Sequence, residues 1–184
     1  ALVAWHGLAA NPYAWGIKVL QLDEALLSNG LLRILRLEAV MPDGTAVMYQ
    51  AGDIEGGDLQ LDLLAHAQEA EQGHVMVYLT LGRSRSMRDA GNPSRFIGVS
   101  QAAVEDEVSN ALPVDVPRMR PNLMLSAGAV PPAVVMHQRL LTIFKVNEIF
   151  KRGPYLHALL EVPQDSEIRS RAMALAIQMR SKAA

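Results

Sequence analysis

Cysteine is missing from all 184 residues, so neither a disulfide framework nor a thiolate metal centre is available, and nothing argues for an oxidising compartment. Aromatic residues are scarce. The two tryptophans both stand near the N-terminal end, at Trp5 and Trp15, which disfavours a platform for stacking sugars or bases. No apolar run approaches the roughly 20 residues needed to cross a bilayer, and Ala1 to His6 lacks the basic region of a signal peptide. Charge of neither sign is in excess: 17 basic residues face 19 acidic ones, a net charge of -2. That balance gives no electrostatic reason to expect nucleic acid or an acidic membrane as the main partner. The expectation is a cytoplasmic protein with no nucleic-acid partner and no direct membrane insertion, working through protein contacts.

The motifs of reaction chemistry are missing as well. No Gly-x-Ser-x-Gly elbow occurs, and Gly52, Gly56 and Gly57 are followed by no Gly-Lys-Ser or Gly-Lys-Thr that would cradle phosphate. The five histidines, His6, His66, His74, His137 and His157, are dispersed and none has a partner at the spacing of a metal motif. Each reads as a surface or packing residue. Asp53, Glu55 and Asp58 lack the ligand order and closing Glu of an EF-hand loop and read as a solvated loop. A second acidic group stands at Glu105, Asp106 and Glu107. Arg83, Arg85 and Arg88 have no interleaved aromatics to stack bases and read as a solvated loop, whose exposed role, if it has one, is protein docking. No catalytic residue, cofactor or metal ligand is assigned, and no enzyme is expected.

What the sequence does have is apolar residues, 50% of the total, enough for a sizeable core without staples. They alternate. Ile17 to Leu22 and Leu31 to Met41 read as strands, the second placing Leu35, Leu37, Ala39 and Met41 on one face and Arg36 and Glu38 on the other. Pro42-Asp43-Gly44-Thr45 then supplies a hairpin turn into Ala46 to Gln50. Leu59, Leu61 and Leu63 alternate again, Leu64 to Gln72 suits a short helix stopped by Gly73, and Val75, Val77, Leu79 and Leu81 mark another strand. A polar loop from Gly82 to Ser94 leads to a strand from Arg95 to Ala103. Val114 to Ser126 is extended but carries Pro117 and Pro121, as an edge strand or bulge would. Leu140 to Ile149 and Tyr155 to Val162 flank Lys151-Arg152-Gly153-Pro154, which reads as a second hairpin turn. Many short strands with little helix between them predict a mainly β fold, a sandwich or barrel, with a C-terminal helix.

The character changes after Gln164-Asp165-Ser166, which offers capping candidates for a helix that runs to Ala184 without Gly or Pro. Ile168, Ala172, Leu175 and Met179 follow one another at steps of four, three and four, the seam spacing of a coiled coil. Spacing alone leaves two readings open, the start of a stalk or an amphipathic helix packed back on the sandwich. The chain opens on Ala rather than Met and closes within a helical pattern, so the expectation is a piece of a longer protein.

Asn-Pro-Tyr-Ala-Trp-Gly-Ile at 11–17, Leu-Asp-Glu-Ala-Leu-Leu at 22–27 and Val-Met-Pro-Asp-Gly-Thr at 40–45 resemble, in order and spacing, the opening of the TssK (ImpJ/VasE) family of type VI secretion baseplate subunits. Val-Asp-Val-Pro-Arg-Met-Arg-Pro-Asn-Leu-Met-Leu at 114–125 is similar to that family's strand ending in Asn-Leu-x-Leu, and Val162-Pro163 to the element leading into its neck. The resemblance implies a β-sandwich akin to the shoulder of phage receptor-binding proteins over residues 1–163, and the start of a helical neck over 164–184. It also implies a homotrimer in the full-length protein, with Ile168, Ala172, Leu175 and Met179 at the interface. The partners would be the other baseplate (wedge) subunits, and the membrane complex through a C-terminal head that this chain lacks. Two alternatives stand beside it: a phage-type receptor- or ligand-binding sandwich, and a β-fold hydrolase with Asp53 or His137 at a cleft that also holds carboxylates.

Overall fold

Ten strands lie among the residues that the computed structural model describes, which are 14–52, 57–84, 92–99, 103, 112, 118–162 and 166–183. Strand β2 (Leu31–Val40) organises the first sheet. It pairs along one edge with β1 (Gly16–Leu22) and along the other with β3 (Ala46–Gln50) and β4 (Gln60–Asp62), all antiparallel. Between β1 and β2 lies helix α1 (Glu24–Ser28), where the Asp23 side chain caps the first turn by accepting from the Leu26 N–H at 3.1 Å. The Pro42–Thr45 turn forms as its residues predict. Gly44 takes φ of +82°, its N–H donates to the Met41 carbonyl, and the Asp43 side chain accepts from the Thr45 N–H.

One expectation for β2 is corrected. Leu35 is exposed, and the alternating buried positions are Leu32 and Ile34, then Leu37, Ala39 and Met41, with Val40 buried as well. The β1–β2 register explains it: Gln21 faces Arg36 while the next residue, Leu22, faces Ile34, so Leu35 is the extra residue of a bulge and the inward parity switches there.

The second sheet has the order β10-β9-β5-β8, formed by β5 (Val75–Gly82), β8 (Leu123–Ala127), β9 (Val135–Val146) and β10 (Ile149–Arg152). Leading into β5 are a single 3₁₀ turn at Leu64–His66 and helix α2 (Ala67–Gln72), which Gly73 ends. Val75, Val77, Leu79 and Leu81 are buried as the alternation requires, but Tyr78 and Thr80 on the opposite face are buried too. A two-stranded ribbon of β6 (Phe96–Val99) and β7 (Arg118–Pro121) completes the described β structure. Pro121 ends an edge strand there, where a missing N–H breaks no ladder.

The second hairpin turns elsewhere than expected. Val146 pairs with Ile149, so the turn is Asn147-Glu148, with φ of +51° and +65°, as a two-residue turn matching strand twist demands. Gly153 follows β10 instead of turning the hairpin. A Cβ there would lie 2.3 Å from Thr142 Oγ1, so close approach to β9 is what requires glycine. Tyr155 to Val162 forms no named strand beyond one isolated bridge between Leu159 and Ile17.

Both sheets feed one hydrophobic cluster. Leu32, Ile34 and Leu37 of the first sheet and Val77, Leu79, Leu141 and Ile143 of the second belong to it, each essentially without solvent exposure. The fold is therefore the β-sandwich with a C-terminal helix, α3 (Glu167–Ala183). Ser166 serves that helix at its start, its hydroxyl accepting from the Arg169 N–H.

Candidate interaction surfaces

Helix α3 carries the four residues singled out by spacing, and each of Ile168, Ala172, Leu175 and Met179 is exposed. Their steps of four, three and four keep them along one stripe of a helix with 3.6 residues per turn. Met173 and Ile177 are exposed as well, at 61% and 65%. No residue of α3 from Glu167 to Lys182 is buried against the sandwich.

The histidines have ordinary neighbours. His66 Nδ1 lies 3.1 Å from Glu69, and His74 packs its ring on Phe144 at 5.7 Å. Burial pushes the pKa of His157 below the usual imidazole value, as does the nearby Arg152, with a hydrogen bond to the Leu140 backbone partly offsetting them. Asp58 pairs with Arg33 at 3.0 Å. Among the described residues no group of three or more His, Asp or Glu could hold a metal ion. His6, Asp53, Glu55, Arg85, Arg88 and the acidic group at 105–107 lie outside the described residues.

His137 does line a hollow, of about 370 Å³, together with Trp15, Tyr78, Gln138, Arg139 and Tyr155. Its ring meets Tyr78 edge-on at 5.6 Å. Among the described residues no carboxylate lines the hollow, so these residues do not bring together the His and acid that a hydrolase would need. Sequence reading missed this place. Its described lining comes from separate stretches of chain, and its sequence trace is the polar triplet His137-Gln138-Arg139 near the start of a strand otherwise rich in apolar residues.

A further contact ties the ribbon to the sandwich. Arg95 donates to both Asp43 and Thr45 in the β2–β3 turn, and its guanidinium stands over the Phe96 ring. Burial raises the Asp43 pKa, but the hydrogen bonds from Thr45 and Arg95 outweigh it, leaving the carboxyl below the ordinary aspartate value.

Solved structures with this architecture come from bacterial secretion machinery. TssK in crystal form superposes with a TM-score of 0.70 at 16% identity, covering 99% of this chain and 42% of its own. TssK from the type VI secretion system of EAEC, bound to a nanobody, gives 0.66 at 16% identity, with 98% of this chain and 62% of that one covered. The TssK-TssF-TssG baseplate subcomplex gives 0.63 at 18%, covering 84% and 52%. This chain thus spans about 40% to 60% of these three solved chains. No curated protein matches it.

At these identities the superpositions establish a shared fold, and the sequence itself supplies the family. The model for bacterial type VI secretion proteins, described as VC_A0110, EvfL, ImpJ and VasE, matches residues 3–184. Fold and match together define a β-sandwich component of type VI secretion. The chain belongs to the ImpJ/VasE family.

Proposed function

We propose that the chain is the docking end of a structural adaptor in the type VI secretion baseplate, acting in the cytoplasm without catalysing a reaction. Residues 1–163 form the shoulder that meets other baseplate subunits, counterparts of the TssF and TssG found with TssK in the solved subcomplex. Residues 164–184 open a helical neck. The full-length protein trimerises there, with Ile168, Ala172, Leu175 and Met179 turned toward the axis, and continues to a head that reaches the membrane complex. The observation carrying this reading is the family match across residues 3–184. The exposure of the whole α3 stripe supports the neck, since apolar side chains at seam spacing are stabilised when a partner helix covers them.

Light scattering of the chain beside a version extended through the neck, with capture of TssF and TssG of the same secretion system, tests the proposal. The extended version is expected to be trimeric and to retain both proteins. Leu175→Lys in it is expected to yield monomers whose sandwich melts as before, because Leu175 is 59% exposed. Monomers from the unmutated extended version together with no capture would overturn the reading.

A further inference from the structure

The chain does not leave the sandwich at the end of β10. Gly153 donates to the Thr142 carbonyl of β9 at 2.7 Å, and the half-buried His157 hydrogen-bonds the Leu140 backbone of the same strand. The segment then passes to the first sheet. There the Ile17 N–H donates to the Ala158 carbonyl at 2.8 Å and the Leu160 N–H donates to the Ile17 carbonyl at 3.1 Å, a parallel bridge on the edge of β1 away from β2. Lys18 and Glu161 pair beside it at 3.4 Å, an exposed contact worth little alone. Residues 153–161 thus form a strap bonded to both sheets.

Two glycines show how closely the strap lies. Gly16 takes φ of +145°, and a Cβ there would stand 2.7 Å from the Ala158 oxygen; Gly153 is held to glycine by Thr142 in the same way. Ile17 is 1% exposed and belongs to the shared cluster, so the strap ends on the backbone of a core residue. Beyond it the chain turns to solvent. Val162 is half exposed, and α3 begins at Glu167, seven residues past Leu160 and at most about 25 Å of chain. Since no residue of α3 from Glu167 to Lys182 is buried against the sandwich, the strap is what fixes the root of the helix among the described residues.

We infer that residues 153–161 are a clamp that anchors the root of α3 to β1 through Ile17, so that the sandwich and whatever the helix carries are held in one orientation. Backbone bonds to a buried residue make the anchor, and Gly16 and Gly153 let the chain come close enough to form them. The consequence for docking rests on the baseplate reading: a trimeric neck whose three roots are clamped presents three sandwiches at a common angle, and their joint capture of TssF and TssG gains from that fixed geometry. The clamp itself does not rest on it.

The chain has no cysteine, so nitroxide labels at Met48→Cys and Val162→Cys, 69% and 50% exposed, mark the first sheet and the exit alone. Electron–electron distances in the 184-residue chain are expected to be narrowly distributed, and about twofold broader in Gly16→Ala and in Leu160→Pro, which removes the donor to Ile17 without altering β1. In both variants the Ile17 amide exchanges at least tenfold faster while Val77 and Leu141 keep their protection. Gly98→Ala, where a Cβ meets nothing within 4 Å, changes neither reading. A native distribution as broad as that of the variants, or an Ile17 amide equally protected in all of them, overturns the clamp. Loss of protection at Val77 and Leu141 in both variants overturns it as well, because the segment is then part of the core and not a separate anchor. In the version extended through the neck, Leu160→Pro is expected to leave trimers intact and weaken capture of TssF and TssG at least threefold. Undiminished capture with a broadened distribution removes the consequence for docking and leaves the baseplate reading standing. Failure of the native extended version to trimerise or capture defeats that reading, and the distances then judge the clamp by themselves.

Discussion

Asp43, at the tip of the β2–β3 hairpin, is one-fifth exposed and bonded to Thr45 and Arg95, so a charged carboxylate there is worth more than one on the open surface. Asp43→Asn keeps an acceptor for the Thr45 N–H but loses the ion pair, and about 1 kcal/mol of stability is expected to go with it at neutral pH. A depressed folded pKa means the contribution is whole above the unfolded value and fades as pH falls through the folded one. Urea titrations of the two proteins should therefore differ at neutral pH and converge below about pH 4. His157 acts in another window. Its folded pKa is lowered by burial and by Arg152, so the unfolded chain binds the proton first and stability falls as pH drops below about 6.5. His157→Gln is expected to flatten that part of the stability profile, read by thermal melts between neutral and mildly acid pH.

At the scale of the element, the β9–β10 hairpin stores strain at Glu148, a side-chain-bearing residue at φ of +65°. Glu148→Gly relaxes that position and is expected to stabilise the protein by about 0.5–1 kcal/mol, measured by chemical denaturation. The same hairpin explains why part of the fold was legible in the sequence and part was not. Pro42-Asp43-Gly44 announces a turn through residues whose backbone preferences are strong alone, and the chain turns there. Gly153-Pro154 has the same look, yet its glycine serves a close approach to Thr142, whereas the real turn at Asn147-Glu148 contains no glycine. Leu35 was misplaced for a related reason: alternation carries no mark of a bulge, and one extra residue reverses every inference beyond it. Helix α3 needed only local composition and spacing and was readable. The hollow needed Trp15, Tyr78, Gln138 and Tyr155 to meet, and no local pattern encodes that meeting.

Across the whole molecule the two sheets share one cluster, so neither can open without exposing the apolar face of the other. Leu32→Ala in the first sheet and Leu141→Ala in the second are both fully buried truncations and are each expected to cost about 3 kcal/mol. Because the cluster is common, each should lower the same single transition rather than unfold its own sheet, a result that tertiary circular dichroism and hydrogen exchange across both sheets can check. Helix α3 stands outside that cooperativity. Its 17 residues have no buried side chain from Glu167 to Lys182, and an isolated helix of this length is marginal in water. In the 184-residue chain the helical signal should therefore fade at lower temperature than the sandwich melts, and neither leucine truncation should move it. Extension through the neck should raise the helical transition, because partner helices then cover the stripe that the single chain leaves in water. A helix melting in step with the sandwich in both proteins would mean that α3 draws its stability from the sandwich, and the neck would lose its physical basis.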